Sequence, residues 1–128
     1  MRLLLDTHLL IWAVSEPDRL SAKALELMNN EANQLFFSTA SLWEIAIKAS
    51  YRRSDFRVNV PELHGELLHN GYQELAVSAG HTFAVVHLPH LHKDPFDRLL
   101  LAQAMREDLT LVTADAVLAS YPGPILKV

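Results

Sequence analysis

The chain has 128 residues, and we expect a single domain spanning residues 1–128. Its composition, 50% hydrophobic and 20% charged with no cysteine, excludes a disordered tail, a collagen-like repeat, a disulfide scaffold and thiolate metal sites. Because 11 Lys and Arg stand against 15 Asp and Glu, the net charge is −4, and a nucleic-acid-binding surface would have to be a local basic patch.

Short apolar segments alternate along the chain with longer segments of helical period. The apolar segments predict strands at Arg2–Leu5, Leu35–Ser38, Glu74–Val77, Thr110–Thr113 and Ile125–Val128. The other segments predict helices at Thr7–Val14, Ser21–Asn30, Ser41–Ser50, Pro61–Asn70, Ser78–Phe83 and Pro95–Glu107. The apolar pattern in these strands is continuous rather than alternating, which is typical of a sheet covered on both faces. The sequence therefore predicts an α/β fold with a central parallel sheet of four to five strands.

No apolar segment reaches the ~18–20 residues that a membrane span requires. At the N-terminus, the apolar run Leu3–Leu5 meets Asp6 at once, so it is too short for the apolar region of a signal peptide. We expect a cytoplasmic protein, mature from Met1, that does not associate with membranes.

Five carboxylates fall at junctions beside the predicted strands. Asp6 directly follows the first strand, Asp115 lies two residues beyond the fourth, and Glu44 lies early in the helix after the second. Asp94 and Asp97 open the helix that leads into the fourth strand. Because parallel sheets place their ligand sites beyond the carboxyl ends of the strands, these side chains can converge.

Each carboxylate also has a purely structural interpretation. Asp6 can cap the helix that follows it, and Asp115 can cap a short turn over Ala116–Ala119. Ser41 and Glu44 have the spacing of a capping box at a helix start. These interpretations explain each acid singly but do not require the helix starts to meet.

The pair Asp94 and Asp97 has the same two interpretations. Asp94 precedes a proline, as an N-cap often does, and Asp97 would be the third helical residue, where the helix dipole favours an anion. Carboxylates that share one pocket repel one another unless a cation offsets them. Hard oxygen ligands suit Mg²⁺ or Mn²⁺, which act on phosphodiesters by activating water and neutralising the departing oxygen. If these carboxylates converge in the fold, they would therefore support metal-dependent phosphodiester hydrolysis.

Four motifs in the chain resemble those of the PIN domain, and more narrowly those of VapC-type toxins of bacterial and archaeal toxin–antitoxin pairs. They are LLLDTHLLIW (Leu3–Trp12), SLWEIAIK (Ser41–Lys48), HKDPFDRLLLAQA (His92–Ala104) and LVTAD (Leu111–Asp115). They follow the family's order and spacing over nearly the whole chain. The third motif is the most specific, since an acid and an arginine lead into an apolar helix.

This resemblance implies a small α/β/α domain with Mg²⁺- or Mn²⁺-dependent endoribonuclease activity. By position, the family's catalytic acids correspond to Asp6, Glu44, Asp97 and Asp115. The three aspartates would bind the metal most directly, and the glutamate would bind a metal or orient the attacking water. Thr113 and, less directly, Thr7 would support the acids by hydrogen bonding, while Asp94 would mainly cap its helix.

The resemblance also implies partners. It implies an RNA substrate, a cognate VapB-type antitoxin that restrains cleavage and binds promoter DNA, and a homodimer. Promoter DNA would be reached only through the antitoxin. Two other functions stay open at this point: a PIN nuclease outside toxin–antitoxin systems, acting in RNA processing or on DNA, and a non-catalytic PIN-like module that binds RNA or a protein.

A basic segment follows the second motif. Four of the eleven cations lie within ten residues: Lys48, Arg52, Arg53 and Arg57. They could bind RNA phosphates or could belong to a solvated connection, and the sequence is compatible with both.

Histidines and tryptophans are the remaining chemically distinctive residues. His87, His90 and His92 could form a transition-metal site, but Pro89 interrupts any regular ligand spacing, and we interpret them as a polar loop. Trp12 and Trp43 lie in apolar helical patterns and are expected in the core, with a partner contact as the alternative for Trp12.

Overall fold

A five-stranded sheet, in which every pair of neighbouring strands is parallel, forms the centre of the molecule. The computed structural model describes residues 1–51 and 58–128. The strands are β1 (Arg2–Leu5), β2 (Gln34–Ser38), β3 (Gln73–Leu75), β4 (Thr110–Thr113) and β5 (Ile125–Lys127). They lie in the order β3-β2-β1-β4-β5, so the chain changes direction across the sheet between β1 and β4. That boundary is the topological switch point at which parallel sheets place ligands.

Helices connect the strands. They are α1 (Thr7–Ser15), α2 (Ala22–Asn29), α3 (Thr39–Ser50), α4 (Val60–His69), α5 (Ala79–Val85), α6 (Pro95–Arg106) and α7 (Ala116–Ala119), with a 3₁₀ turn at Pro17–Arg19. Within residues 1–51 and 58–128, no helix is both long enough and apolar enough to cross a bilayer.

Two apolar cores lie on opposite faces of the sheet. Along β1, Leu3 and Leu5 belong to the core that α1, α2, α3 and α4 cover, whereas Leu4 belongs to the core of α6 and α7. All three leucines are fully buried, because side chains alternate between the faces of a strand and both faces are covered. The arrangement is an α/β/α sandwich, as the sequence predicts.

The end of a strand is set by where its pairing with the neighbouring strand stops. The strands β1 and β4 have the predicted bounds, whereas β3 begins and ends earlier than the predicted Glu74–Val77. Its last residue, Leu75, pairs with Ser38, the last residue of β2, so β3 ends where its only neighbour among the described strands ends.

The start of α3 differs from the sequence prediction in a way that affects the site. The N-cap is Ser38, whose hydroxyl accepts a hydrogen bond from the Ala40 backbone N–H at 3.0 Å. Ser41 is therefore inside the helix, and the predicted capping box between Ser41 and Glu44 is wrong. The Ser41 hydroxyl instead accepts a hydrogen bond from Thr7 Oγ1 at 2.9 Å.

Candidate active site

The first component of the site lies at the carboxyl end of β1. Asp6 is 3% exposed and is the N-cap of α1, where its Oδ1 accepts a hydrogen bond from the Leu9 backbone N–H at 3.1 Å. Its other oxygen, Oδ2, accepts a hydrogen bond from the hydroxyl of Thr113, at the end of β4. The cap interpretation of Asp6 is confirmed, and the cap lies at the switch point.

Thr113 joins two acids. Besides donating to Asp6, its Oγ1 accepts a hydrogen bond from the Asp115 backbone N–H at 3.0 Å. Asp115 caps α7: its Oδ1 accepts from the backbone N–H groups of Val117 at 2.7 Å and Leu118 at 3.1 Å. Since only Oδ1 is used in capping, Oδ2 is left to face the site.

The third component is the start of α6. Asp94 is its N-cap, and Oδ1 accepts from the backbone N–H groups of Phe96 at 2.8 Å and Asp97 at 3.2 Å. Because Asp94 performs the capping, the Asp97 carboxylate is not required for it. Of the two roles that the sequence leaves open for this pair, Asp94 therefore takes the capping role, and the carboxylate of Asp97 is available to the site.

Glu44 contributes from the second turn of α3. It is 4% exposed, and its Oε2 accepts a hydrogen bond from Lys48 Nζ at 2.9 Å. Its Oε1 is buried and has no hydrogen-bond partner among the described residues. An unsatisfied buried oxygen is costly, so this atom indicates that a ligand completes the site.

The pKa of Asp97 connects these groups, because it is raised from 3.8 to about 7. Burial is the largest cause, followed by repulsion from the carboxylates of Asp94, Asp6 and Glu44. A nearby histidine, His92, acts in the opposite direction. The acids from three different elements therefore share one electrostatic environment, in which negative charge is unfavourable without a cation.

The two other aspartates differ from each other. Burial raises the pKa of Asp6, although hydrogen bonds from Thr113 and the Leu9 backbone oppose the rise. Burial also tends to raise the pKa of Asp115. Hydrogen bonds from the α7 backbone N–H groups, together with His92, outweigh this effect, so the pKa is lowered. Asp115 is thus ready to act as an anionic ligand at neutral pH.

His92 lies inside the site, which the sequence analysis did not predict. Its Nε2 is 2.9 Å from Oδ2 of Asp97 and 3.5 Å from Oδ2 of Asp115. The ligand atoms of these three residues lie within 4.8 Å of one another. The interpretation of His92 as one of several residues in a polar loop is therefore insufficient: it is in a loop, but its ring faces the acids. The motif HKDPFDR, which begins with this histidine, was the available signal.

Buried polar contacts hold this loop in place. Arg98 is 8% exposed, and its guanidinium donates hydrogen bonds to the carbonyls of Pro89 at 2.9 Å and Val85 at 3.2 Å. It also donates to the hydroxyl oxygen of Tyr121 at 3.1 Å, which in turn accepts from the His92 backbone N–H at 2.9 Å. The arginine of the third motif thus orients the segment that carries His92.

The remaining predicted residues are placed as follows. Thr7 lies near the acids in sequence, but its hydroxyl donates to Ser41 and so joins α1 to α3. Lys48 lies at the site, paired with Glu44. Arg52, Arg53 and Arg57 lie outside the described residues.

The donor set fits a divalent cation. Four acids converge, one buried oxygen of Glu44 has no partner among the described residues, and the burial of Asp97 disfavours its charge. Carboxylate oxygens are the ligands that Mg²⁺ and Mn²⁺ prefer in proteins. The acids that would hold such an ion are Asp6, Asp97 and Asp115, with Glu44 beside them.

Known proteins share this architecture. A chain in the crystal structure of VapBC2 from Rickettsia felis bound to a DNA fragment from their promoter has a TM-score of 0.72 at 20% identity, covering 99% of this chain and 98% of that one. A chain in the structure of VapBC-1 from nontypeable Haemophilus influenzae has a TM-score of 0.60 at 15% identity, covering 99% and 98%. These similarities concern the fold.

Sequence comparison identifies the family. Ribonuclease VapC22 of Mycobacterium tuberculosis strain H37Rv is 30% identical to the chain over 122 residues, which are 94% of this chain and 92% of that protein. The PIN domain family matches residues 3–124, a range that contains all four acids. The chain therefore belongs to the PIN-domain family, and within it to the VapC type.

Proposed function

We propose that the chain is a Mg²⁺- or Mn²⁺-dependent endoribonuclease that acts as the toxin of a toxin–antitoxin pair, as a single PIN domain over residues 1–128. The observation that carries the proposal is the convergence of Asp6, Glu44, Asp97 and Asp115 at the switch point, with the pKa of Asp97 raised to about 7. A binding module has no need to bury mutually repelling carboxylates. A nuclease that offsets them with a metal does.

The chain's own groups would have distinct roles. Asp6, Asp97 and Asp115 would hold the cation, which when bound supplies activation of water and neutralisation of the departing oxygen. Thr113 holds the Oδ2 atom of Asp6 in place by donating a hydrogen bond to it. Glu44 presents its buried Oε1, which is free to accept a hydrogen bond from an attacking water and orient it towards the phosphorus.

The proposal is tested by incubating purified protein with single-stranded and structured RNA in Mg²⁺, in Mn²⁺ and in EDTA. We expect cleavage in either metal, none in EDTA, and none by Asp6→Asn. The matched control is Asp108→Asn, which makes the same chemical change at an exposed position just before β4. This position is at the amino ends of the strands, opposite the end that carries the acids. Asp108 has a φ of 53°, which Asn also tolerates. RNA that is bound but intact in metal would contradict the proposal and favour a binding module.

We further propose a VapB-type antitoxin partner, with promoter DNA bound only through that antitoxin, and a homodimer in the cytoplasm. The similarity in fold to chains of VapBC structures supports the antitoxin partner, and the homodimer and the cytoplasmic location follow from the family resemblance alone. Purification of the chain alone and together with a small protein encoded beside it tests this, with the mass of each species measured by light scattering. A monomer that the neighbouring protein neither binds nor inhibits would contradict it.

The basic segment belongs to the same proposal. Lys48, Arg52, Arg53 and Arg57 are proposed to bind RNA phosphates, on the support of their clustering in an acidic chain. Replacement of the three arginines by alanine should weaken RNA binding and flatten its dependence on salt, since fewer counterions are released. An unchanged salt dependence would exclude the arginines from the RNA site.

A further inference from the structure

Two grooves reach the acid cluster from different elements. The Trp12 groove, about 290 Å³, is lined by Asp6, His8, Trp12, Arg19 and Asp115. The Phe96 groove, about 360 Å³, is lined by Glu44, Lys48, Lys93, Asp94 and Phe96. The Trp12 groove shares Asp6 and Asp115 with the cluster, and the Phe96 groove shares Glu44. The cluster therefore opens into two cavities, one from α1 and β4 and the other from α3 and α6.

The Trp12 groove contains a cation held against an aromatic ring. The Arg19 guanidinium carbon lies 5.0 Å from the centroid of the Trp12 ring, and Arg19 Nη1 is 3.2 Å from Oε2 of Glu16. The His8 ring lies beside the same indole, tilted by 47°, with centroids 5.9 Å apart. Arg19 is exposed and Trp12 is half-buried. The ring thus holds a solvent-facing positive charge in a groove that two catalytic acids also line.

The Phe96 groove likewise combines positive charge, carboxylates and an aromatic ring. Lys93 is exposed, Lys48 is half-buried beside Glu44, and the half-buried Phe96 ring supplies an apolar wall. The net charge of the chain is −4, so it repels a phosphodiester substrate overall. Positive side chains next to the carboxylates would offset this repulsion where the substrate binds. Each groove is near the lower end of the ~300–1,000 Å³ typical of small-ligand sites, which suits one unpaired nucleotide.

We propose that a single RNA strand crosses the acid cluster from one groove to the other, with Arg19 binding a phosphate on one side of the scissile bond and Lys93 binding one on the other. Trp12 is a positioning residue that acts through Arg19. This inference rests on the proposed ribonuclease function and adds which side chains of this chain bind the phosphates on either side of the cut. A base-paired helix presents its phosphates on a broad surface and does not enter such grooves.

The inference is tested by fluorescence anisotropy of a labelled single-stranded RNA at several salt concentrations. An Asp6→Asn background in EDTA prevents metal-dependent cleavage and removes one repelling carboxylate. Arg19→Gln and Lys93→Gln should each lower the slope of log K against log salt by about 0.7, and the double variant by about 1.4. The same RNA annealed to its complement should bind at least tenfold more weakly.

The chain offers a close control for Arg19. Arg2 lies over the Phe36 ring at 5.2 Å from its centroid, but at the amino end of β1, away from the acids. Arg2→Gln removes a similar stacked cation and should leave the slope unchanged. For Lys93 the control is Arg106→Gln, an exposed cation in the last turn of α6, at the opposite end of that helix from Asp97.

The positioning role of Trp12 has its own readout. Trp12→Leu should flatten the slope as Arg19→Gln does, and combining the two should add nothing, because both remove the same contact. Trp12→Phe, which keeps an aromatic face, should preserve most of the slope. An unchanged slope in Trp12→Leu would show that Trp12 contributes packing alone, and additive losses in the double variant would show that it acts independently of Arg19; either result would overturn its positioning role.

Slopes that match those of the Arg2→Gln and Arg106→Gln controls would overturn the inference, as would equal binding of duplex or no binding of RNA by the background protein. So would an Arg19→Gln change that weakens antitoxin binding while the RNA slope stays the same, because the Trp12 groove would then hold a protein segment. Cleavage by the parent in Mn²⁺ is measured separately. Reduced slopes without cleavage would therefore keep the RNA path and remove the ribonuclease function.

Discussion

Nε2 of His92 lies 2.9 Å from Oδ2 of Asp97, so an imidazole faces the acid whose pKa is raised to about 7. His92 lowers that pKa, against burial and the neighbouring carboxylates, which raise it to about 7. In His92→Ala, the pKa of Asp97 should rise above about 7. Carboxyl ¹³C NMR titration of the metal-free protein measures it directly, with the exposed His90→Ala as control. A pKa that is unchanged or lower would mean that the imidazole does not act on Asp97.

The raised pKa of Asp97 also predicts how stability depends on pH. The folded protein binds this proton up to about pH 7, whereas the unfolded chain releases it near the ordinary value of 3.8. Without metal, the free energy of unfolding should therefore fall as pH rises from about 4 to about 7, and Asp6 should contribute in the same direction. Urea unfolding in EDTA at pH 5 and pH 8 measures the difference. Asp97→Asn should make it smaller, and an equal difference in both proteins would assign it to other groups.

Thr113 should matter for stability as well as for activity. In Thr113→Val the side-chain volume is kept, but Asp6 Oδ2 and the Asp115 backbone N–H both lose their partner. We expect a loss of roughly 1–3 kcal/mol in the free energy of unfolding, as for a buried polar group left unsatisfied. The control is Thr82→Val, an exposed threonine that bonds only a helix carbonyl. Equal losses in the two variants would show that the Asp6 contact is unimportant.

The toxin role predicts a growth effect. Expression of the parent chain without an antitoxin should arrest translation, whereas Asp6→Asn should be harmless because the acid set is broken. Incorporation of labelled amino acids after brief induction measures this, and sequencing of the cut RNA ends identifies the target. Equal toxicity of the two proteins would show that metal-dependent cleavage is not the cause.

Much of this arrangement is predictable from sequence. The bounds of β1 and β4 are correct because each has a short apolar centre, Leu3–Leu5 in β1 and Leu111–Val112 in β4, with a polar residue directly before and after it. The position of Asp6 at a convergent edge follows from the switch-point rule, which needs only the order of strands and helices.

Other parts depend on tertiary contacts. Ser38 and Ser41 are both acceptable caps, and only the end of β2 decides between them. The ring of His92 reaches the acids because Arg98 and Tyr121 hold its loop, and spacing in the sequence does not reveal such contacts. Trp43 has the helical apolar pattern of a core residue but is 62% exposed, so its core assignment is wrong.

The central claim is that the converging acids form one metal-dependent catalytic centre, and thermal unfolding of the parent and Asp97→Asn in EDTA and in Mn²⁺, beside RNA cleavage, tests it most directly. If Asp97 mainly complemented the helix dipole, Asn would cost roughly 0.3–1 kcal/mol in EDTA. Because Asp94 already caps α6 and the other acids repel Asp97, we expect the variant to be equally or more stable in EDTA. It should also lose most of the stabilisation that Mn²⁺ gives the parent, together with RNA cleavage. A variant that is destabilised in EDTA, yet still stabilised by Mn²⁺ and still cuts RNA, would contradict the account.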